Sequence, residues 1–236
     1  MTALARTGVG VMILTLSLFA GPARAQVSNG SFETGNFSGW QTQDQPGGSG
    51  SWTVYSGSPI FNVPPPPHGT FAALTQQQGP GSHILYQDIT LAPGVRHELS
   101  MFLYYESLNS PIFAPNTLDF TVPFNQQFRV DLVDPGAQLT SLAAGDVLAN
   151  LFRTTEQDTS ILQPTLFTFD LSALAGQTVR LRFAEVDNMF FFHAGVDRVV
   201  LKSGAEIIPE PTSMALFFPA LALLTLLPAA RKRRST

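Results

Sequence analysis

Two pairs of carboxylates sit close enough along the chain to work together, Asp131 with Asp134 and Glu185 with Asp187. Paired carboxylates are what acid–base cleavage of a glycosidic bond requires. Spacing is their only warrant, and acidic residues mostly sit exposed. The four histidines, His68, His83, His97 and His193, fall on separate segments without metal-ligand spacing. The chain has no cysteine, hence no thiolate nucleophile or ligand. It also lacks the Gly-x-Ser-x-Gly elbow and any phosphate loop. Catalysis is therefore not expected. Recognition is better served: Trp52, Tyr55 and Tyr104, with Trp40 and Tyr105, are side chains that stack on sugar rings when exposed. Nineteen phenylalanines make core packing the competing fate for aromatic residues, and Trp40 reads as packing.

The elements that must position these residues are short β-rich runs separated by Gly- and Pro-containing turns. In 95–106, His97, Leu99, Met101, Leu103 and Tyr105 share one face. In 127–134, Phe128, Val130 and Leu132 oppose Arg129 and Asp131. Further runs cover 51–55, 70–74, 83–90, 147–154, 165–171, 178–186 and 196–202. Period-two alternation with regular turns predicts an all-β, antiparallel sandwich, and eight or more strands predict a jelly roll. Leu171–Gln177 reads as a tight corner with one helical turn. Val63 to His68 contains four consecutive prolines, so it must be extended and outside any central strand. The Pro-containing stretch 108–123 is expected to cover an edge or a mouth of the sandwich.

The termini differ from this body. Residues 1–25 carry Arg6, an apolar run from Val9 to Ala20 and the small-x-small site Ala23-Arg24-Ala25 before Gln26. That is the pattern of a secretory signal cleaved between Ala25 and Gln26. At the other end, Met214 to Ala230 is free of charge and is followed by Arg231, Lys232, Arg233 and Arg234. A short spanning helix over about 213–230, with its basic end on the cytoplasmic side, is expected. Six of the 13 basic residues lie in these two segments, against Glu210 alone of the 17 acidic ones, so residues 26–206 carry a net charge near −9. A body this acidic argues against nucleic-acid binding. Its 181 residues suffice for one core, and without disulfides that core must supply the stability.

Pro209-Glu210-Pro211, the apolar span and the basic end, in that order, resemble the PEP-CTERM sorting signal of Gram-negative bacteria. The resemblance covers 209–236 and implies processing by an exosortase after signal peptidase. It also implies a transient inner-membrane precursor and delivery to the cell surface or to an extracellular, exopolysaccharide-rich biofilm matrix. The domain division is then 1–25 signal, 26–206 sandwich and 207–236 sorting segment. Within the body, Asn29-Gly-Ser-Phe-Glu33 followed by Gly39-Trp40, and Asp197-Arg-Val-Val-Leu201 after Phe191 and Phe192, resemble the first and last strands of carbohydrate-binding jelly rolls of the galactose-binding type. Ala194, Gly195 and Val196 depart from the usual lead-in. In several such modules these strands meet at a structural calcium, which implies Glu33 and Asp197 as ligands, with Asn29 a weaker one. Capping and ion pairing are the alternative roles for the two acids. The expected function is a non-catalytic surface or matrix protein. A carbohydrate-binding module and a glycoside-active hydrolase are the alternatives.

Overall fold

A computed structural model describes residues 26–58, 62–76, 79–108 and 111–206. The signal segment, Ala25, the Pro209-Glu210-Pro211 motif, the 213–230 span and the basic end lie outside the described residues. No helix among the described residues is long and apolar enough to cross a membrane.

Ten strands form the body: β1 (Gln41–Asp44), β2 (Ser51–Tyr55), β3 (Ala72–Gln76), β4 (Gly81–Thr90), β5 (Val95–Ser107), β6 (Gln126–Val133), β7 (Val147–Arg153), β8 (Ile161–Asp170), β9 (Thr178–Asp187) and β10 (Phe192–Glu206). They pair antiparallel in two five-stranded sheets, β1-β4-β9-β6-β7 and β2-β3-β10-β5-β8. The all-β, antiparallel sandwich expected from alternation is therefore present. The corner at Leu171 contains a 3-10 turn, Ser172–Leu174.

Alternation explains which side chains meet. Leu99, Met101, Leu103 and Tyr105 of β5 share one core with Phe128, Val130 and Leu132 of β6 in the other sheet, joined by Phe183 of β9 and by Phe192 and Val196 of β10. Burying each of the larger side chains contributes about 1.5–3 kcal/mol. Phe32 and Trp40 close one end of this core, with ring centroids 5.6 Å apart.

The outer faces are covered unequally. Over the first sheet, Leu118 and Phe120 of the 108–123 stretch, with Leu139 and Leu142, pack on Ile84, Ala184 and Val186. Beneath the same cover, Asp131 is enclosed by two guanidinium groups. Arg182 Nη2 donates to Asp131 Oδ2 at 2.6 Å and Arg129 Nε donates to the same atom at 2.7 Å. Over the second sheet lies a strap, residues 62–71. Its Val63 packs with Tyr55, Ala72, Leu74 and Tyr104.

Candidate functional site

The strap is held by side chains from opposite ends of the chain. Glu33 Oε1 accepts the backbone N–H groups of Thr70 (3.0 Å) and Phe71 (3.1 Å). Asp197 Oδ2 accepts that of His68 at 2.8 Å, and its Oδ1 accepts Arg198 N–H at 2.5 Å. Farther along, Glu106 accepts both N–H groups of Asn62, backbone and side chain, and Tyr55 Oη donates to the Pro64 carbonyl at 3.0 Å. Gly69, at φ +70°, lies against the Glu33 carboxylate, where any Cβ would overlap it.

The local backbone is unusual. Among the described residues, Asn29, Phe32 and Arg198 are the non-glycine positions with positive φ, at 47°, 55° and 49°, and all three flank Glu33 or Asp197. Such conformations cost about 1–3 kcal/mol each and persist where surrounding structure enforces them. Here the enforcement is visible. Gly30 O accepts Val199 N–H at 2.8 Å, and Asn29 O accepts the indole N–H of Trp40 at 3.2 Å. The segment expected as a first strand is thus a series of turns laid against β10, because αL residues at 29 and 32 break any extended run. Asn29 turns its carboxamide to Thr34 and Asn36, away from the two carboxylates.

Asp197 is fully buried and has no ion pair within 4 Å among the described residues. Burial pushes its carboxyl up to about 7; the N–H groups of His68 and Arg198 oppose the rise, and the charge of Glu33 adds to it. The pair named from sequence is therefore assembled. As a calcium site it fits in part. Two carboxylates repel, and a cation would relieve that. Against it, backbone N–H groups already occupy positions on all four carboxylate oxygens. Calcium takes six to eight oxygens, and no group of three acidic or histidine side chains suited to a metal occurs among the described residues.

The aromatic residues expected to stack on sugars are packed inside. Trp52 (3% exposed) sits in the core and donates its indole N–H to His83 O at 3.2 Å. Tyr55 and Tyr104 lie under the strap with their hydroxyls 2.7 Å apart. Burial lifts the Tyr55 hydroxyl to about 12. The Tyr104 ring lies on Gly195 of β10, where any side chain would collide with it. That contact explains the departure at Ala194-Gly195-Val196. Among both tryptophans and all four tyrosines, Tyr86 alone is not buried. Sequence reasoning passed over it, although its even position on β4, opposite inward Leu85 and Gln87, marks it as outward.

The remaining acids and histidines do not converge. Asp131 is locked between Arg129 and Arg182, far from partnering Asp134, which caps the turn at Gly136. His83 binds Asp44 (2.7 Å) and Ser49 O, whereas His97 binds Ala92 O and Ser203. His68 is exposed at the strap. One acidic pair was missed: Glu98 and Asp170 are cross-strand neighbours on β5 and β8 lining a groove of about 1280 Å3. Asp170 is held below the usual carboxylate range by hydrogen bonds from Ser172, which disfavours the protonated form that a general acid needs.

No family model matches the chain, and no curated protein does. Among solved structures it is similar to TmCBM61 in complex with β-1,4-galactotriose (14% identity, 77% of this chain, 100% of that one, TM-score 0.45). It is similar also to the K3 cleaved adhesin domain of Lys-gingipain from Porphyromonas gingivalis W83 (17%, 77% and 98%, TM-score 0.47). A third is the Stig cyclase Fisc from Fischerella sp. TAU (16%, 78% and 98%, TM-score 0.45). A sugar complex, an adhesin domain and a cyclase share this degree of likeness, so it assigns no chemistry.

Proposed function

We propose that the chain is an exported, exosortase-processed surface or extracellular-matrix protein of a Gram-negative bacterium. Its jelly-roll body of the galactose-binding type has a structural or interaction role and no catalytic one. The observation that best supports this is polarity. Gln26 and Gly204 line the same groove, so both ends of the body leave from one pole. β5 runs from that pole, where Val95 faces Glu206, to the other, where Ser107 faces Phe192. Thirteen residues at about 3.3 Å each set the poles roughly 40 Å apart. A tail-anchored precursor would present the far pole outward. There Phe124 is 60% and Phe190 47% exposed, beside a hydrogen bond from Gln126 to Phe190 O.

Structural calcium between Glu33 and Asp197 belongs to the same reading. Signal peptidase and exosortase are its processing partners. A carbohydrate-binding module is the second reading, favoured by the exposed amides Gln41 and Gln43 on β1 at the edge of the first sheet.

Fractionation of cells making the full chain with a tag inside an exposed body loop tests the main reading. The expected product lacks residues 1–25 and the sorting segment, and sits in the envelope or matrix. An unprocessed product, or one left in the cytoplasm, would overturn it.

A further inference from the structure

The outer face of the first sheet carries a second site, remote in the fold from Glu33 and Asp197. Between β1, β4 and the 117–119 turn lies a cavity of about 320 Å3. Gln43, Ser82, Ile84, Thr117, Asp119 and Thr140 are among its walls. Register explains the lining: Gln43 of β1 stands opposite Ile84 of β4, and Gln41 opposite Tyr86.

The polar groups are prepared and largely unspent. Gln45 braces the rim, donating to Asp119 Oδ1 at 2.6 Å and accepting Phe120 N–H at 3.2 Å. Thr121 N–H and its hydroxyl also donate to Asp119 Oδ1, which leaves Oδ2 as an open acceptor. Ser82 is 2% exposed, yet its hydroxyl makes no hydrogen bond among the described residues, and neither do the side chains of Gln43 and Thr140. A hydroxyl on a cavity wall with no protein partner can both donate to and accept from an incoming group.

The ligand class follows by chemistry. An ionised carboxylate on the wall repels anions. A single carboxylate is too little for a bare divalent cation. No aromatic ring lines the cavity, so a flat apolar ligand gains no stacking. A neutral polyol suits it, since each hydroxyl can donate to Asp119 or an amide oxygen and accept from an amide N–H or hydroxyl. The volume is near the lower end of ligand pockets, about 300–1,000 Å3, and suits one sugar ring. β1 is the outermost strand of its sheet. Neighbouring units of a longer chain can therefore run past Gln41 and Tyr86 and leave over the sheet edge.

We propose that this cavity takes one neutral sugar unit of a polysaccharide, held by Gln43, Ser82, Thr117, Asp119 and Thr140 above Ile84. The proposal rests on the reading of the body as a domain facing surface or matrix polysaccharide.

The test is saturation-transfer NMR on the full chain, in a detergent without a sugar head group. The probes are methyl glycosides of glucose, galactose and mannose, their trisaccharides, and glucuronate as the anionic control. At least one neutral sugar should receive saturation, and glucuronate should not. Gln43→Ala should weaken binding by about tenfold, the worth of one hydrogen bond. Thr140→Trp, which fills the cavity from an exposed position, should abolish binding with the melting temperature unchanged. Transfer to none of the neutral sugars, or affinity unaltered by both substitutions, would overturn the proposal. A chain processed and sorted as expected but blind to sugars sinks the cavity alone. A chain that binds sugar but keeps its tail sinks the sorting reading alone.

Discussion

Glu33 and Asp197, from opposite ends of the body, close on the two halves of one short segment, His68–Phe71, by accepting its backbone N–H groups. A fully buried acid and a second acid therefore clamp the strap over Tyr55 and Tyr104. If a cation joins them, calcium should raise the melting temperature of residues 26–206 by several degrees, and Asp197→Ala should erase the rise. Calcium at a hundredfold excess over Kd would contribute roughly 2.7 kcal/mol, whereas a half-saturated site, with calcium equal to Kd, would contribute only about 0.4 kcal/mol. Identical melts in chelator and in millimolar calcium would leave the clamp to the N–H groups alone.

The same carboxyl sets a pH dependence. The Asp197 carboxyl is pushed up to about 7 from an ordinary value of 3.8, mainly by burial. The folded state then holds a proton that the unfolded chain gives up. The contribution is fully present below pH 4, falls as pH rises from about 4 to 7, and is flat above. Asp131 and Asp170 are shifted downward and act in the opposite sense at acid pH, so a comparison isolates Asp197. In chelator, the stability of wild type relative to Asp197→Asn should decline between pH 4.5 and 7.5. A difference independent of pH would show that the acid is ionised when folded.

Much of the sandwich was legible because apolar residues alternate with polar ones over Glu98–Met101 of β5 and Phe128–Leu132 of β6, and alternation is a local property. β1 was not, since all four of its residues are exposed and carry no apolar period. β6 is buried on both faces. Its Arg129 and Asp131 look solvent-facing in sequence, and only the distant Arg182 and the cover at Leu139 and Ser141 make them interior. Glu33 and Asp197 could be paired from sequence only through motif resemblance, because nothing local links positions so far apart. The strap that both acids bind was visible as a proline run, but its anchors were not. The sugar-stacking choice of Trp52, Tyr55 and Tyr104 failed for a related reason: residue type says what a ring can do, and strand parity together with the strap decides whether it is exposed.

The buried ionic cluster gives a large expected effect. Burial pushes the Asp131 carboxyl up, but the bonds from Arg129 and Arg182 outweigh this and hold it below the usual range. Arg182→Met leaves that carboxylate with Arg129 as its one cationic partner, beside the Asn150 amide, and strips donors from Leu139 O and Ser141 O. It should cost about 3–5 kcal/mol in denaturant unfolding. Replacing Asp131, Arg129 and Arg182 together by apolar residues of similar volume should cost much less. Equal losses would mean that packing rather than charge pairing dominates there.

Gly195 tests the Tyr104 contact. A methyl group at 195 collides with the Tyr104 ring, and overpacking of this kind costs about 1–3 kcal/mol. Gly195→Ala should lower the denaturant midpoint, whereas Gly195→Ala combined with Tyr104→Ala should fall well short of the summed losses, since the two share one contact. Additive losses would show that the ring does not rest on Gly195 in solution.

On the proposed function, residues 209–236 would decide where all of this operates. Pro209 and Pro211 fix their own φ and lack amide hydrogens, which in the proposed reading would suit an extended recognition element for a processing enzyme. The charge-free stretch after them is long enough to arrest export, and the basic end resists translocation. Replacing Pro209, Glu210 and Pro211 together by alanine removes the extended element but keeps both membrane signals. Export and signal cleavage before Gln26 should proceed, and the body should fold on the far side of the membrane. The uncut tail should then hold it there, because an apolar span with a basic end does not leave a bilayer unaided. Cells making the variant should accumulate an inner-membrane form heavier than the mature protein by about the mass of the sorting segment, with the surface or matrix form reduced in proportion. A mature mass and destination matching wild type would show that the tripeptide is not read, and the tail would then be a plain anchor.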